Sequence, residues 1–458
     1  MINFKNGIKT LVIVVFLIIV CAFTEKEKTF IVTDYGAKGD SLTVNTIFIQ
    51  KAIDDCSTNG GGTVIIPKGI FISGTILLKD NVILNISKEA KLVGSSNPLD
   101  YQSIDTFTDA VKKIRGNCLI GALNAKNIGI TGHGIIDGNG EAFTMPLLKL
   151  KFESLGLDKN TKDFGVNRPF LLRFVKSTKI KIKDITIRQA AAWACHFYQS
   201  SNIDVDGMTV YNHANSNNDG IDLDSSHDVE IKNCNIDTGD DSICIKATSS
   251  QPTYNVKVRN CKIKSEWGAL KFGTESMGDF YNIDIRDCEI YDTRGGGIKI
   301  LSVDGANIHD INIQNIKMDD VEMPIFIRLG ERLNTYREAD KRKVGTINNV
   351  VVKNIKATTR SLENSRVNPP SGILITGTPN HKIGKVTLEN INITLPGGGK
   401  KSDVGIIEEQ ETKYPEFSFF KVLPAYGMYA RHIDGLSTKN INFKITAADE
   451  REDVILEK

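Results

Sequence analysis

Three stretches carry the fold: Ile231-Lys-Asn-Cys-Asn-Ile236, Val258-Arg-Asn-Cys-Lys-Ile263 and Ile285-Arg-Asp-Cys-Glu-Ile290. Their cysteines, Cys234, Cys261 and Cys288, follow one another at intervals of 27 residues. An Asn or Asp stands just before each cysteine, where a turn needs a left-handed backbone or a side-chain bridge. Apolar and polar residues alternate around it, as in short strands with one buried face. Working outward, the pattern returns upstream at Ala125-Lys-Asn-Ile128, Ile182-Lys-Asp-Ile-Thr-Ile187 and Val205-Asp-Gly-Met-Thr-Val210. Downstream it returns at Ile313-Gln-Asn-Ile-Lys-Met318, Val352-Lys-Asn-Ile355, Leu388-Glu-Asn-Ile-Asn-Ile393 and Thr438-Lys-Asn-Ile-Asn-Phe443. No single copy can bury its own face, so about ten copies mean a solenoid. A propeller would need blades of roughly 40–45 residues. The expected fold is all-β: a single right-handed parallel β-helix of about ten coils over residues 29–458. Residues Thr46 to Cys56 have helical spacing (Ile49, Ala52, Ile53, Cys56) and are expected to form a short N-terminal helix capping the open end.

Composition agrees with this frame. The chain has 458 residues, 39 of them glycine and only 12 proline, which suits many tight turns. A formal net charge of +2 supplies no field for nucleic acid. Lys5 and Lys9, the apolar run Leu11 to Val20 and the polar stretch from Glu25 read as a secretory signal over residues 1–24. Cys21 at its end would suit a lipid anchor, although Val20 is not the small residue usual before a lipidated cysteine. The protein is expected to be exported: periplasmic, extracellular or on the cell surface as a lipoprotein. A monomer is expected. The other seven cysteines form no CxxC pair, so neither zinc nor a disulfide framework is implied.

The chemistry gathers on adjacent coils. Asn218-Asp219-Gly220-Ile221-Asp222-Leu223-Asp224 overlays Asp240-Asp241-Ser242-Ile243-Cys244-Ile245-Lys246 with a shift of 22 residues. Asp219 and Asp241 then become neighbours about 5 Å apart, with Asp240 beside them. Repulsion among three carboxylates should raise at least one pKa. A protonated and an ionised carboxyl together suit general-acid glycoside cleavage with a base-activated water. On spacing alone, calcium binding and plain turn chemistry remain open.

These segments, with Thr238-Gly239-Asp240-Asp241-Ser242, resemble the two acidic motifs of glycoside hydrolase family 28, the polygalacturonases and rhamnogalacturonases. The N-terminal block Asp34-Tyr-Gly-Ala-Lys-Gly-Asp40 through Gly94 resembles the pectin-lyase-like superfamily. The resemblance implies an inverting hydrolase of pectic polysaccharide that uses no metal or other cofactor. By carry-over Asp240 is the general acid, and Asp219 and Asp241 activate water. The family's Gly-His-Gly motif is replaced by Trp267-Gly268-Ala269, and its Arg-Ile-Lys by Gly297-Ile298-Lys299-Ile300-Leu301. That leaves rhamnogalacturonan, a side-chain galacturonoside, and endo or exo action all open. In the same register His196, Asp222, Cys244, Lys271 and Lys299 should form one outward column, with Arg328 near the next. Lys271, Lys299 and Arg328 are expected uronate partners. His196 and Asp222 are further candidates for substrate binding, with Trp193 beside His196 as a stacking wall. Glu275 is expected as a fourth carboxylate or as a partner of Lys271. Inserts at 141–168 and 395–432 are expected to shape the cleft, the second bringing Tyr414. The competing readings are a lyase on the same fold and a non-enzymatic carbohydrate-binding β-helix.

Overall fold

The computed structural model describes residues 28–156, 168–337 and 339–457. The N-terminal segment and Cys21 lie outside the described residues. The three opening stretches stack in parallel: Ile231 faces Val258, which faces Ile285. The ladder continues through Ile313, Val352, Leu388 and Thr438. Upstream it runs through Val205 and Ile182. The copy at Ala125–Ile128 is displaced, because Ile130 and not Ala125 faces Ile182. Its Asn127 is left-handed at φ 57°, in line with Lys179 at 56° and Asn202 at 53°, and so belongs to a neighbouring corner.

The residue before each central apolar position is left-handed, as a corner requires. Asn233, Asn260, Asp287, Asn315, Asn354, Asn390 and Asn440 have φ between 55° and 57°. Asparagine reaches this region at lower cost than most residues. The side chains also link coil to coil: Asn260 Nδ2 donates to Asn233 Oδ1 at 2.5 Å, and Asn233 Nδ2 to Asp206 Oδ1 at 2.7 Å. Inside the corner, Ile231, Ile236, Val258, Ile263 and Ile290 are fully buried, and Cys234, Cys261 and Cys288 are nearly so. The seven described cysteines are buried free thiols.

A second sheet carries the chemistry. Twelve of its thirteen strands form one parallel stack, from Ile76–Leu77 to Glu452–Glu457. The helix is right-handed. The helix Thr46–Thr58 caps the N-terminal end and buries Ile49, Ala52, Ile53 and Cys56. One strand breaks the pattern. Gln102–Thr108 pairs antiparallel with Ile114–Leu123, making a hairpin that leaves the solenoid wall.

Candidate active site

The site lies where four strands of the second sheet meet their preceding turns: Cys195–Tyr198, Ile221–Asp224, Ile243–Ala247 and Leu270–Ser276. Ile221 faces Ile243, the 22-residue shift of the overlay. His196, Asp222, Cys244, Lys271 and Lys299 align in one column. Buried polar groups fix the turns. Asn212 Nδ2 donates to the Asp219 carbonyl at 2.9 Å, and Asn218 Nδ2 to the carbonyls of Ala190 and Ala192 at 2.8 and 3.0 Å. The Asp240 carbonyl accepts from the hydroxyls of Thr238 and Ser265 at 2.6 and 2.7 Å. The carboxylates are thus held by backbone that cannot easily drift.

Asp219, Asp240 and Asp241 converge, with one oxygen of each within 4.8 Å of the others. They line a cavity of about 210 Å³. Lys246 Nζ donates to Asp219 Oδ2 at 3.1 Å and lies 3.0 Å from Asp222 Oδ1 and 3.7 Å from Glu275 Oε2. Lys271 Nζ donates to Asp241 Oδ2 at 2.5 Å, while the Gly268 N–H holds Asp241 Oδ1 at 2.9 Å. A Cβ at position 268 would stand 2.7 Å from that oxygen, so a larger residue there would have to displace the Asp241 carboxylate. Asp240 pairs with no ammonium among the described residues. Its Oδ1 accepts the Asp241 N–H at 2.9 Å.

The three acids therefore differ. Burial, then the charges of Asp219 and Asp241, hold Asp240 well above the usual carboxylate range. Burial raises Asp219 to about 6, with Lys246 opposing. At Asp241 burial works against ionisation, but Lys271, Lys299 and Lys246 outweigh it and the pKa falls. The trio titrates as a coupled unit. The oxygens could geometrically gather a cation.

Two walls rise beside the acids. The hairpin brings Asp109, Ala110 and Val111, and the Ala110 N–H donates to Glu275 Oε1 at 3.1 Å. Trp267 and Tyr414 line the cavity as well. Glu416, on the same insert as Tyr414, accepts from Trp267 Nε1 at 3.0 Å and from Lys299 Nζ at 2.7 Å. Trp193 also lines the cavity, with Lys246 Nζ 3.8 Å above its ring.

Lys271 and Glu275 face the cavity with the three acids. Four other candidates, His196, Asp222, Lys299 and Arg328, do not line it. His196 is fully buried, 3.1 Å from Asp224 Oδ2 and against Arg173. Burial, then Arg173, lowers its pKa to about 4. Asp222 is fully buried beside Lys246. Lys299 is consumed by Glu416. Arg328 donates to Thr376 Oγ1 and to the carbonyls of Gly377 and Glu409. His196 and Asp222 are covered by charged neighbours on adjoining coils, and Lys299 and Arg328 by the later insert, which a coil-by-coil reading does not include. Trp267 and Glu416 were missed for the same reason.

The family model for glycosyl hydrolases family 28 matches residues 56–412. The chain belongs to glycosyl hydrolase family 28. This member is 33% identical over 265 residues to an exo-poly-alpha-D-galacturonosidase of Dickeya chrysanthemi, spanning 50% of the chain but 43% of that relative. It is 26% identical over 363 residues to an endo-polygalacturonase of Pectobacterium carotovorum subsp. carotovorum, spanning 78% of the chain and 86% of the relative. A solved exopolygalacturonase from Thermotoga maritima shares its fold with a TM-score of 0.67 at 22% identity, over 90% of this family 28 chain and 92% of that one.

Proposed function

We propose that this chain hydrolyses galacturonan from the chain end with inversion at the anomeric carbon. The observation that carries this is the unequal trio: one carboxyl without a counter-ion beside two that lysines keep available for ionisation. Asp240 gives its proton to the glycosidic oxygen, and the leaving chain departs as an alcohol. Asp219 and Asp241 take a proton from water, whose oxygen bonds to the anomeric carbon. Common inverting pairs stand roughly 6.5–9.5 Å apart, with the water between them. Here the nearest oxygens of the three acids lie within 4.8 Å of one another, and inversion requires the water held by Asp219 and Asp241 to attack the ring face opposite the departing oxygen.

The small cavity supports end attack. At about 210 Å³ it suits a single sugar ring, with the hairpin and the 395–432 insert on its flanks. Sites for drug-sized ligands run to roughly 300–1,000 Å³. The names of the relatives and the export segment expected from the sequence fit a pectic substrate met outside the cell. A lyase would need a free base to remove a ring proton. Lys246 and Lys271 are poor ones, since burial opposes their charge but Asp222 and Asp241, respectively, hold them protonated. The test is digestion of oligogalacturonides. Wild type should release galacturonate one unit at a time, and Asp240→Asn should lose about 10²–10⁴ in kcat with its fold intact. Full activity in Asp240→Asn would sink the assignment.

A further inference from the structure

Lys299 sits where the sequence places a uronate-binding lysine, yet it is fully buried and both oxygens of Glu416 hold its ammonium, at 2.7 and 2.9 Å. A carboxylate built into the protein occupies the place a substrate carboxylate would take. Lys246 and Lys271 serve the acids, Arg328 serves carbonyls, and Arg332 is bound to Asp304. One cation, against the lining residue Trp267, has a different setting. The Arg366 side chain is exposed, and its guanidinium carbon lies 3.8 Å from the centre of the Trp267 ring. No carboxylate among the described residues forms an ion pair with it. Its backbone is nevertheless fixed: Glu322 Oε1 accepts the N–H of the next residue, Val367, at 2.9 Å. Stacking on an indole holds a guanidinium in place while leaving its N–H edge free for a planar carboxylate.

We propose that Arg366 is a specificity residue that binds the carboxylate of the galacturonate unit at the mouth of the cavity, taking over the task from the capped Lys299. This rests on the chain-end reading, in which one unit fills the cavity and the next lies at its mouth against Trp267. Exchange of one charge-assisted contact corresponds to about tenfold in affinity.

The test compares Arg366→Gln with wild type on trigalacturonate, on the same trimer methyl-esterified, and on 4-nitrophenyl galacturonide, whose leaving group has no carboxylate. Binding of trigalacturonate is measured separately in the Asp240→Asn background. The proposal expects kcat/KM and affinity for trigalacturonate to fall about tenfold, with Arg366→Lys recovering part of the loss. It expects little change on the ester and none on the nitrophenyl substrate. Equal losses on all three substrates, or no loss on trigalacturonate, overturn it. If wild type binds trigalacturonate without cleaving it, the hydrolase reading fails, and the binding arm still decides the role of Arg366.

Discussion

Asp240 and Asp241 are adjacent in sequence and opposite in behaviour, and among the lysines that set them apart Lys271 comes first. Lys271 reaches Asp241 at 2.5 Å and leaves Asp240 without an ammonium. Rising pH strips the proton from Asp240, whose pKa is raised, and sets the alkaline limb of activity. Falling pH protonates Asp219 near 6 and then Asp241, and sets the acid limb. Lys271→Gln removes the cation that lowers Asp241. The acid limb of kcat/KM should therefore move to higher pH, read from a pH–rate profile; an unmoved limb contradicts the assignment. The three acids were legible in the sequence because strand alternation and a one-coil shift superpose their motifs. Which lysines stay available was not legible, since Glu416 lies 117 residues from the Lys299 it neutralises.

Among the elements, the coil corners and the two walls obey different rules. A corner is local chemistry, and its left-handed Asn or Asp announces it in the sequence. Asn260, at φ 55°, should tolerate Gly far better than Val. Asn260→Val should cost about 1–2 kcal/mol or more for a β-branched residue forced left-handed, read as a lowered denaturation midpoint. The walls depend on distant partners. The hairpin 102–123 carries no repeat, and its contact with Glu275 spans 165 residues, so coil counting could not place it. The insert 395–432 was recognised by its broken spacing, but its anchor was not. Glu416→Ala leaves Lys299 buried without a counter-charge. Removing one partner of such a pair typically costs about 3–5 kcal/mol, so this variant should unfold at a markedly lower temperature than wild type.

At the scale of the whole molecule, the repeat builds one long stack. The stack supplies a rigid floor on which acids from successive coils stand a strand spacing apart, about 5 Å. Function then depends on what is added to the floor, since related β-helices serve different ends. Net charge of +2 gave no hint of an acidic substrate, because the lysines beside the acids are paired locally, while Arg366, stacked on Trp267, has no ion pair among the described residues. The central claim is inversion by a proton-donating Asp240 and a water held by Asp219 and Asp241. Proton NMR of trigalacturonate during the first minutes of digestion tests it most directly. Cleavage of its α-linkages should release galacturonate first as the β-anomer, with the α-anomer growing in by mutarotation. Release first as the α-anomer, or of a product carrying a ring double bond, would contradict it.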